Sequence, residues 1–181
     1  MRPVKLRRDT TLVTERLKLR ALRHSDLAAI VANVRDYDIA KMTTSIPHPY
    51  SDADGRAFLA AQGRTPSAIS FAVEHAGTLA GICGLFAMPL KSELGYWFAK
   101  SVWGRGFATE TGAALLAFGF QTLGLPTIHY RVFVDNPASQ RVAAKLGFRR
   151  LGTGVSHSLA RGGEVAHIHL VLTAARFRAA H

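Results

Sequence analysis

In Trp103-Gly104-Arg105-Gly106-Phe107-Ala108-Thr109 the main chain itself is placed to do chemistry. The preceding run, Glu93 to Ala99, reads as a buried strand, and a helical pattern from Ala108 to Leu123 follows. The first N–H groups of a helix have no partner inside it and point out of its positive end. A phosphate placed there accepts several of them at once. Gly104 and Gly106 carry no Cβ, so a diphosphate can approach the backbone closely. Ala108 and Thr109 keep the first turn small. The loop reads as the cradle of a nucleotide-type cofactor.

Rival readings of the loop are weaker. A Walker loop ends in Gly-Lys-Ser/Thr, which is absent. A dinucleotide fingerprint needs G-x-G-x-x-G, and Thr109 stands at the third glycine. Asp135 does follow the next strand as that fingerprint's acid would, but no second mononucleotide half follows. An ordinary strand–helix connection is the third alternative.

The elements that must position this loop follow from periodicity. Arg16 to Leu22 alternates with Leu, as a half-buried strand does. Ser25 reads as an N-cap for Asp26 to Val34, where Leu27, Ile30, Val31 and Val34 form an amphipathic stripe. Asp36 to Met42 is a candidate short helix. The prolines of Ile46-Pro47-His48-Pro49-Tyr50 forbid regular structure. Ser51 caps a helix over Ala53 to Gln62. Ala68 to Glu74 and Thr78 to Phe86 read as strands joined by a turn. Gly124-Leu125-Pro126 ends the long helix, Ile128 to Val134 is a strand, and Asn136-Pro137 opens a helix reaching Leu146. Phe148 to Leu151 and Val165 to Leu172 close as strands, separated by a Gly-rich link and a hairpin tip near Arg161-Gly162-Gly163. Ala174 to Ala180 reads as a basic tail.

The 181 residues suit one α/β domain with a mixed sheet, with its core over about 14–173 and short basic tails at both ends. A hydrophobic content of 48% excludes wholesale disorder. No run is apolar enough for a membrane helix, and the basic N-terminus lacks the apolar stretch of a secretory signal. With Cys83 as the only cysteine, a cytoplasmic protein is expected. The formal net charge of +11 is spread along the chain. It implies a solvated basic surface or attraction for a polyanion, either a phosphorylated cofactor or RNA. Cys83 itself reads as a core residue. His167 and His169 share a strand face, but no Cys or acidic cluster completes a metal site, so no metal is expected.

Taken in order, Glu-Leu-Gly-Tyr-Trp-Phe, Trp-Gly-Arg-Gly-Phe-Ala-Thr-Glu, Asn-Pro-Ala-Ser and Lys-Leu-Gly-Phe resemble the GNAT acetyltransferase superfamily. More narrowly, they resemble its branch that acetylates ribosomal-protein N-termini. Thr14 to Arg20 and the Ile46–Tyr50 stretch fit as well. The resemblance implies a mixed, mostly antiparallel sheet of six to seven strands flanked by helices and splayed between the fourth and fifth. It implies acetyl-CoA, with its pyrophosphate on the amides of Arg105, Gly106, Phe107, Ala108 and Thr109. The pantetheine arm would run beside Trp97 and Phe98 as an added strand, held by the Asn136 amide. Lys100, Arg105, Arg141 and Lys145 are candidate attractors for the phosphates.

Acyl transfer to an amine needs a neutral nucleophile, a polarised carbonyl and a proton or equivalent stabilisation for the departing thiolate. By resemblance, the Phe98 N–H polarises the carbonyl. Ser139, in the first turn of its helix, is the candidate donor to sulfur; its alternative is a local helix-start bond. Ala143 stands where the wider superfamily often has an acid tyrosine, and Tyr130 is a weaker substitute. Glu93 is the candidate base or amine-orienting group, since burial would raise its pKa. Its alternative is a strand-end salt bridge. Glu110 reads as a first-turn glutamate favoured by the helix dipole. The acceptor is an amine, either a protein N-terminus or a small molecule, with Asp36, Asp38, Asp52 and Asp54 on the acceptor wall. Ribosome proximity and a monomer or homodimer are the partner expectations. Two other functions remain open: an NAD-type oxidoreductase, and a non-catalytic CoA-binding or RNA-associated module.

Overall fold

Alternating Leu and polar residues near the N-terminus build one strand of the sheet, and seven more line up with it. The structure is a computed structural model and describes residues 10–180. The basic N-terminal tail lies largely outside those residues. The strands are β1 (Leu12–Val13), β2 (Lys18–Arg20), β3 (Ile69–His75), β4 (Thr78–Phe86), β5 (Glu93–Phe98), β6 (Thr127–Phe133), β7 (Arg149–Ser158) and β8 (Gly163–Thr173). Their order is β1-β2-β3-β4-β5-β6-β8-β7, with every neighbour antiparallel except β5 and β6. The count exceeds the expected six to seven because the two-residue β1 was not legible as a strand. The splay falls between the expected strands, here the fifth and sixth: β5 and β6 pair only at Glu93↔His129. A mostly antiparallel sheet of this order is not the doubly wound parallel sheet of dinucleotide enzymes.

One face carries α1 (Leu27–Val34), α2 (Tyr37–Ala40) and α3 (Asp52–Ala61). The Ile30–Val31–Val34 stripe packs with Ile39, Tyr50, Ala72 and Ile82. The other face carries α4 (Phe107–Ala117), α5 (Pro137–Lys145) and α6 (Ala174–Ala180). There Leu115, Leu116 and Phe118 meet Phe71, Leu85, Leu94 and Ile128. Each such side chain stabilises the fold by about 2 kcal/mol when buried. Ser51 caps α3 as expected, in a reciprocal box with Asp54.

Four local expectations are corrected. Ser25 lies within a 3-10 turn (His24–Asp26), and Asp26 takes the position before α1 while its buried carboxylate pairs with Arg20 at 2.8 Å. The long helix becomes a π-turn over Phe118–Thr122 before Gly124 reverses the chain. The Gly-rich link is strand: Gly154 belongs to β7, where the His167 ring lies 3.0 Å from the position a Cβ would take. The C-terminal tail is helix α6, anchored by buried Phe177 against Phe120, with ring centroids 5.0 Å apart.

Candidate functional site

The turn into α4 has the geometry its glycines suggest. Gly104 and Gly106 adopt φ of 77° and 81°, in the left-handed region, and Gly106 is the N-cap. The N–H groups of Gly106, Phe107 and Ala108 have no protein acceptor among the described residues. Two members of the expected amide set differ. The Arg105 N–H reaches Val102 O at 3.4 Å, and the Thr109 N–H bonds Gly106 O at 3.1 Å. Trp103 ties the loop to the strand behind it, its Nε1 donating to Phe98 O at 2.8 Å. Glu110 does more than complement the helix dipole. Its carboxylate accepts from the Arg16 backbone N–H at 2.9 Å and pairs with the Arg16 guanidinium at 2.7 Å. Arg16 in turn donates to Arg105 O at 2.9 Å. The N-terminal segment therefore buttresses the loop.

The neighbouring strand offers a second feature. The Ala99 N–H bonds Ala80 O, so antiparallel alternation turns the Trp97 main-chain groups toward β4. Those of Tyr96 and Phe98 face the opposite edge. There β6 has already diverged beyond its contact at Glu93↔His129. A strand flank lies open beside the α4 N-terminus, which is what an extended ligand arm requires.

Three hydroxyls from three elements meet on this side. Tyr130 donates to the Tyr96 hydroxyl at 2.7 Å, and Tyr96 donates to Ser139 Oγ at 3.3 Å. In that direction Ser139 accepts. Burial pushes the Tyr130 phenol well above its ordinary value, and burial also raises Tyr96. Both stay protonated donors. Asn136 caps α5 by accepting from the Ser139 N–H at 3.0 Å, which leaves its NH₂ available. Tyr96 was missed from sequence; its alternation with Leu94 and Phe98, on the face away from Glu93, was the available signal.

Glu93, Gly95 and Trp97 share the α1–α3 face. Both oxygens of Glu93 accept from Arg131 Nε, at 2.8 and 2.9 Å. The salt-bridge alternative is thus the arrangement the carboxylate adopts. The acids of the acceptor wall are also engaged. Asp36 and Asp38 pair with Lys100, Asp38 also with Lys41, and Asp52 with Arg35, while Asp54 caps Ser51. Lys100 is therefore not a free phosphate attractor. Arg141 and Lys145, which border the cavity, have no ion pair among the described residues. Cys83 is buried, and burial raises its thiol far above the ordinary range, as befits a core residue. His169 approaches His129 at 3.0 Å, and no group of three or more metal-ligating side chains occurs among the described residues.

A cavity of about 1080 Å³ joins these parts, from Gly104 and Thr109 through Tyr96, Phe98 and Ser139 to Glu93 and the apolar wall of α1 and α3. Free amides at a helix mouth fit a diphosphate, and an open strand edge fits an amide-bearing arm. A cluster of hydroxyl donors fits a departing anion.

Known proteins resemble this chain in sequence and in fold. Residues 16–149 match the family described as Acetyltransferase (GNAT) domain. The uncharacterized N-acetyltransferase YoaA of Bacillus subtilis is 34% identical over 152 residues, covering 78% of this chain and 84% of that protein. The uncharacterized N-acetyltransferase p20 of Bacillus licheniformis is 27% identical over 162 residues, covering 84% and 89%. The fold is also that of spermidine N-acetyltransferase from Vibrio cholerae, solved with CoA and spermine. Its TM-score is 0.79 at 23% identity, covering 91% of this chain and 99% of that one.

Proposed function

The chain belongs to the GNAT acetyltransferase family and is an acetyl-CoA-dependent N-acetyltransferase, and we propose the following division of labour among its residues. Acetyl-CoA supplies the acetyl group as a thioester. The amides of Gly106, Phe107 and Ala108 hold the pyrophosphate, flanked by Arg105 and Thr109, with Arg141 and Lys145 adding positive charge. The open flank at Tyr96 and Phe98, with the Asn136 NH₂, holds the pantetheine arm; Trp97, expected beside Phe98 on that flank, instead turns its main-chain groups toward β4. The Phe98 N–H faces that flank and polarises the thioester carbonyl.

Ser139 gives its proton to the departing sulfur. Tyr130 and Tyr96 feed the hydroxyl chain behind it, so Ser139 has an accepted hydrogen bond and a proton to donate. Glu93, already paired with Arg131, orients the incoming amine on the far face of β5. The neutral amine attacks directly, without a covalent enzyme intermediate; its nitrogen releases one proton to solvent as the amide forms, and a solvent proton returns to Ser139, so the products are the amide and the CoA thiol. The domain spans about 14–173 and works in the cytoplasm as a monomer or homodimer. No helix of the described residues is long and apolar enough to cross a membrane.

The observation that carries this reading is the open β5 edge beside an α4 N-terminus that has no side-chain cap. A panel of small amines and peptide N-termini, ribosomal-protein sequences included, incubated with acetyl-CoA and read by mass, tests it. Transfer to the amine nitrogen is expected. Binding of acetyl-CoA with no transfer to any member would favour a non-catalytic CoA-binding module.

A further inference from the structure

The far end of the cavity, beyond Glu93, has a charge pattern of its own. We infer that the acceptor is a primary amine carrying a carboxylate on an apolar body, an amino-acid-like molecule, and that Arg131 and Ser156 receive that carboxylate. This rests on the N-acetyltransferase reading and narrows it.

Four observations point the same way. The acids nearby do not wait for a polycation. Asp36, Asp38 and Asp52 hold Lys and Arg partners, Asp54 is spent on its own helix cap, and Asp135 pairs with Arg161 at 2.7 Å. A polyamine would have to displace them. Next, Arg131 is only partly used. Its Nε serves Glu93, its Nη1 makes a long 3.3 Å contact to Ser156 Oγ, and its Nη2 has no partner among the described residues. Arg131 lines the cavity, with its side chain 42% exposed. A planar guanidinium edge suits the two oxygens of a carboxylate.

Ser156 also lines the cavity, and its Oγ lies 3.1 Å from His167 Nδ1. It can turn its own proton toward an anion or toward the ring. The groups around this corner are mostly cationic or neutral bases. Lys91 and His129 come from the β5 and β6 side, His167 and His169 from β8, and Glu93 is the acid that offsets Arg131. Finally, the α1–α3 side of the same cavity carries an apolar wall: Ile30, Val34, Ile39, Tyr50, Phe58 and Ile82. An ammonium meets Glu93, a carboxylate meets Arg131 and Ser156, and a hydrocarbon body meets the wall.

The test compares L-leucine with isoamylamine, which lacks only the carboxylate, and with spermidine. Each is assayed for acetylation with acetyl-CoA by the full chain and by Arg131→Gln. The full chain should favour leucine over isoamylamine by about tenfold or more in kcat/KM, the scale of one charge-assisted hydrogen bond. The substitution should bring that ratio close to one. A folding defect in the variant is bypassed by product inhibition of the unaltered protein, where N-acetyl-leucine should outcompete N-isoamylacetamide. A preference for spermidine or isoamylamine, or a ratio that Arg131→Gln leaves in place, overturns the inference while leaving the enzyme reading intact. No transfer to any of the three amines, despite acetyl-CoA binding, overturns this inference. If peptide N-termini are acetylated instead, the enzyme reading survives without it.

Discussion

Replacing Gly106 by alanine separates the proposed cofactor-binding role of the α4 entrance from its structural role. Gly106 sits at φ 81°, and an added Cβ would meet only Arg16 Nη2, at 3.5 Å. The fold therefore loses only the strain of a left-handed alanine, about 1 kcal/mol, or roughly 2–4 °C in the thermal midpoint for a chain of this size. Gly147 supplies a matched control. Its φ is 82°, no atom lies within 4 Å of where an added methyl would stand, and it follows α5 rather than opening α4. The methyl of Gly106→Ala, by contrast, enters the cavity where a diphosphate must approach. Loss of two charge-assisted amide bonds at about 1.5 kcal/mol each weakens acetyl-CoA by about 100-fold. Calorimetric titration with acetyl-CoA, alongside thermal unfolding without ligand, reads both quantities. Equal destabilisation of the two variants with only Gly106→Ala losing affinity is expected. Unchanged affinity in Gly106→Ala would refute the reasoning.

Ser139→Ala should lower kcat by about 100-fold while leaving acetyl-CoA affinity in place, since the Asn136 cap uses the backbone N–H of residue 139. Tyr96→Phe should lower kcat less; single-turnover measurements separate chemistry from release. Burial, with nearby His169 and Lys91 for His129 and Arg131 for His167, sets both imidazoles below the ordinary histidine value. The unfolded chain then binds more protons than the folded one near pH 6. Their contribution is full above about 6.5 and is lost as pH falls through the lower folded values. The thermal midpoint should drop between pH 7.5 and 5. Asp38, drawn down to about 2 by Lys100 and Lys41, keeps its ion pairs through that window. Phe177→Ala should cost about 3 kcal/mol in denaturant unfolding, because its ring is 4% exposed and packs on Phe120.

What the sequence made legible was local. The glycine spacing at 104 and 106, the β5 alternation and the Asn136-Pro137 helix start each rest on neighbours within a few positions. Long-range partnerships were not legible. The Tyr130–Tyr96–Ser139 chain joins three elements, and Glu93 meets Arg131 across 38 positions. Glu110 reaches back 94 positions to Arg16. Two glycines disguised β7 as a linker, although the His167 ring lies beside Gly154. A lone Phe177 among arginines gave α6 no apolar stripe, so only its packing reveals the helix.

Amide chemical shifts of the isotopically labelled protein, followed as CoA is added, test the central assignment most directly. The account predicts that the N–H signals of Gly106, Phe107, Ala108 and Phe98 move most, with Gly147 unmoved. Saturable CoA binding that leaves those four signals in place would contradict it.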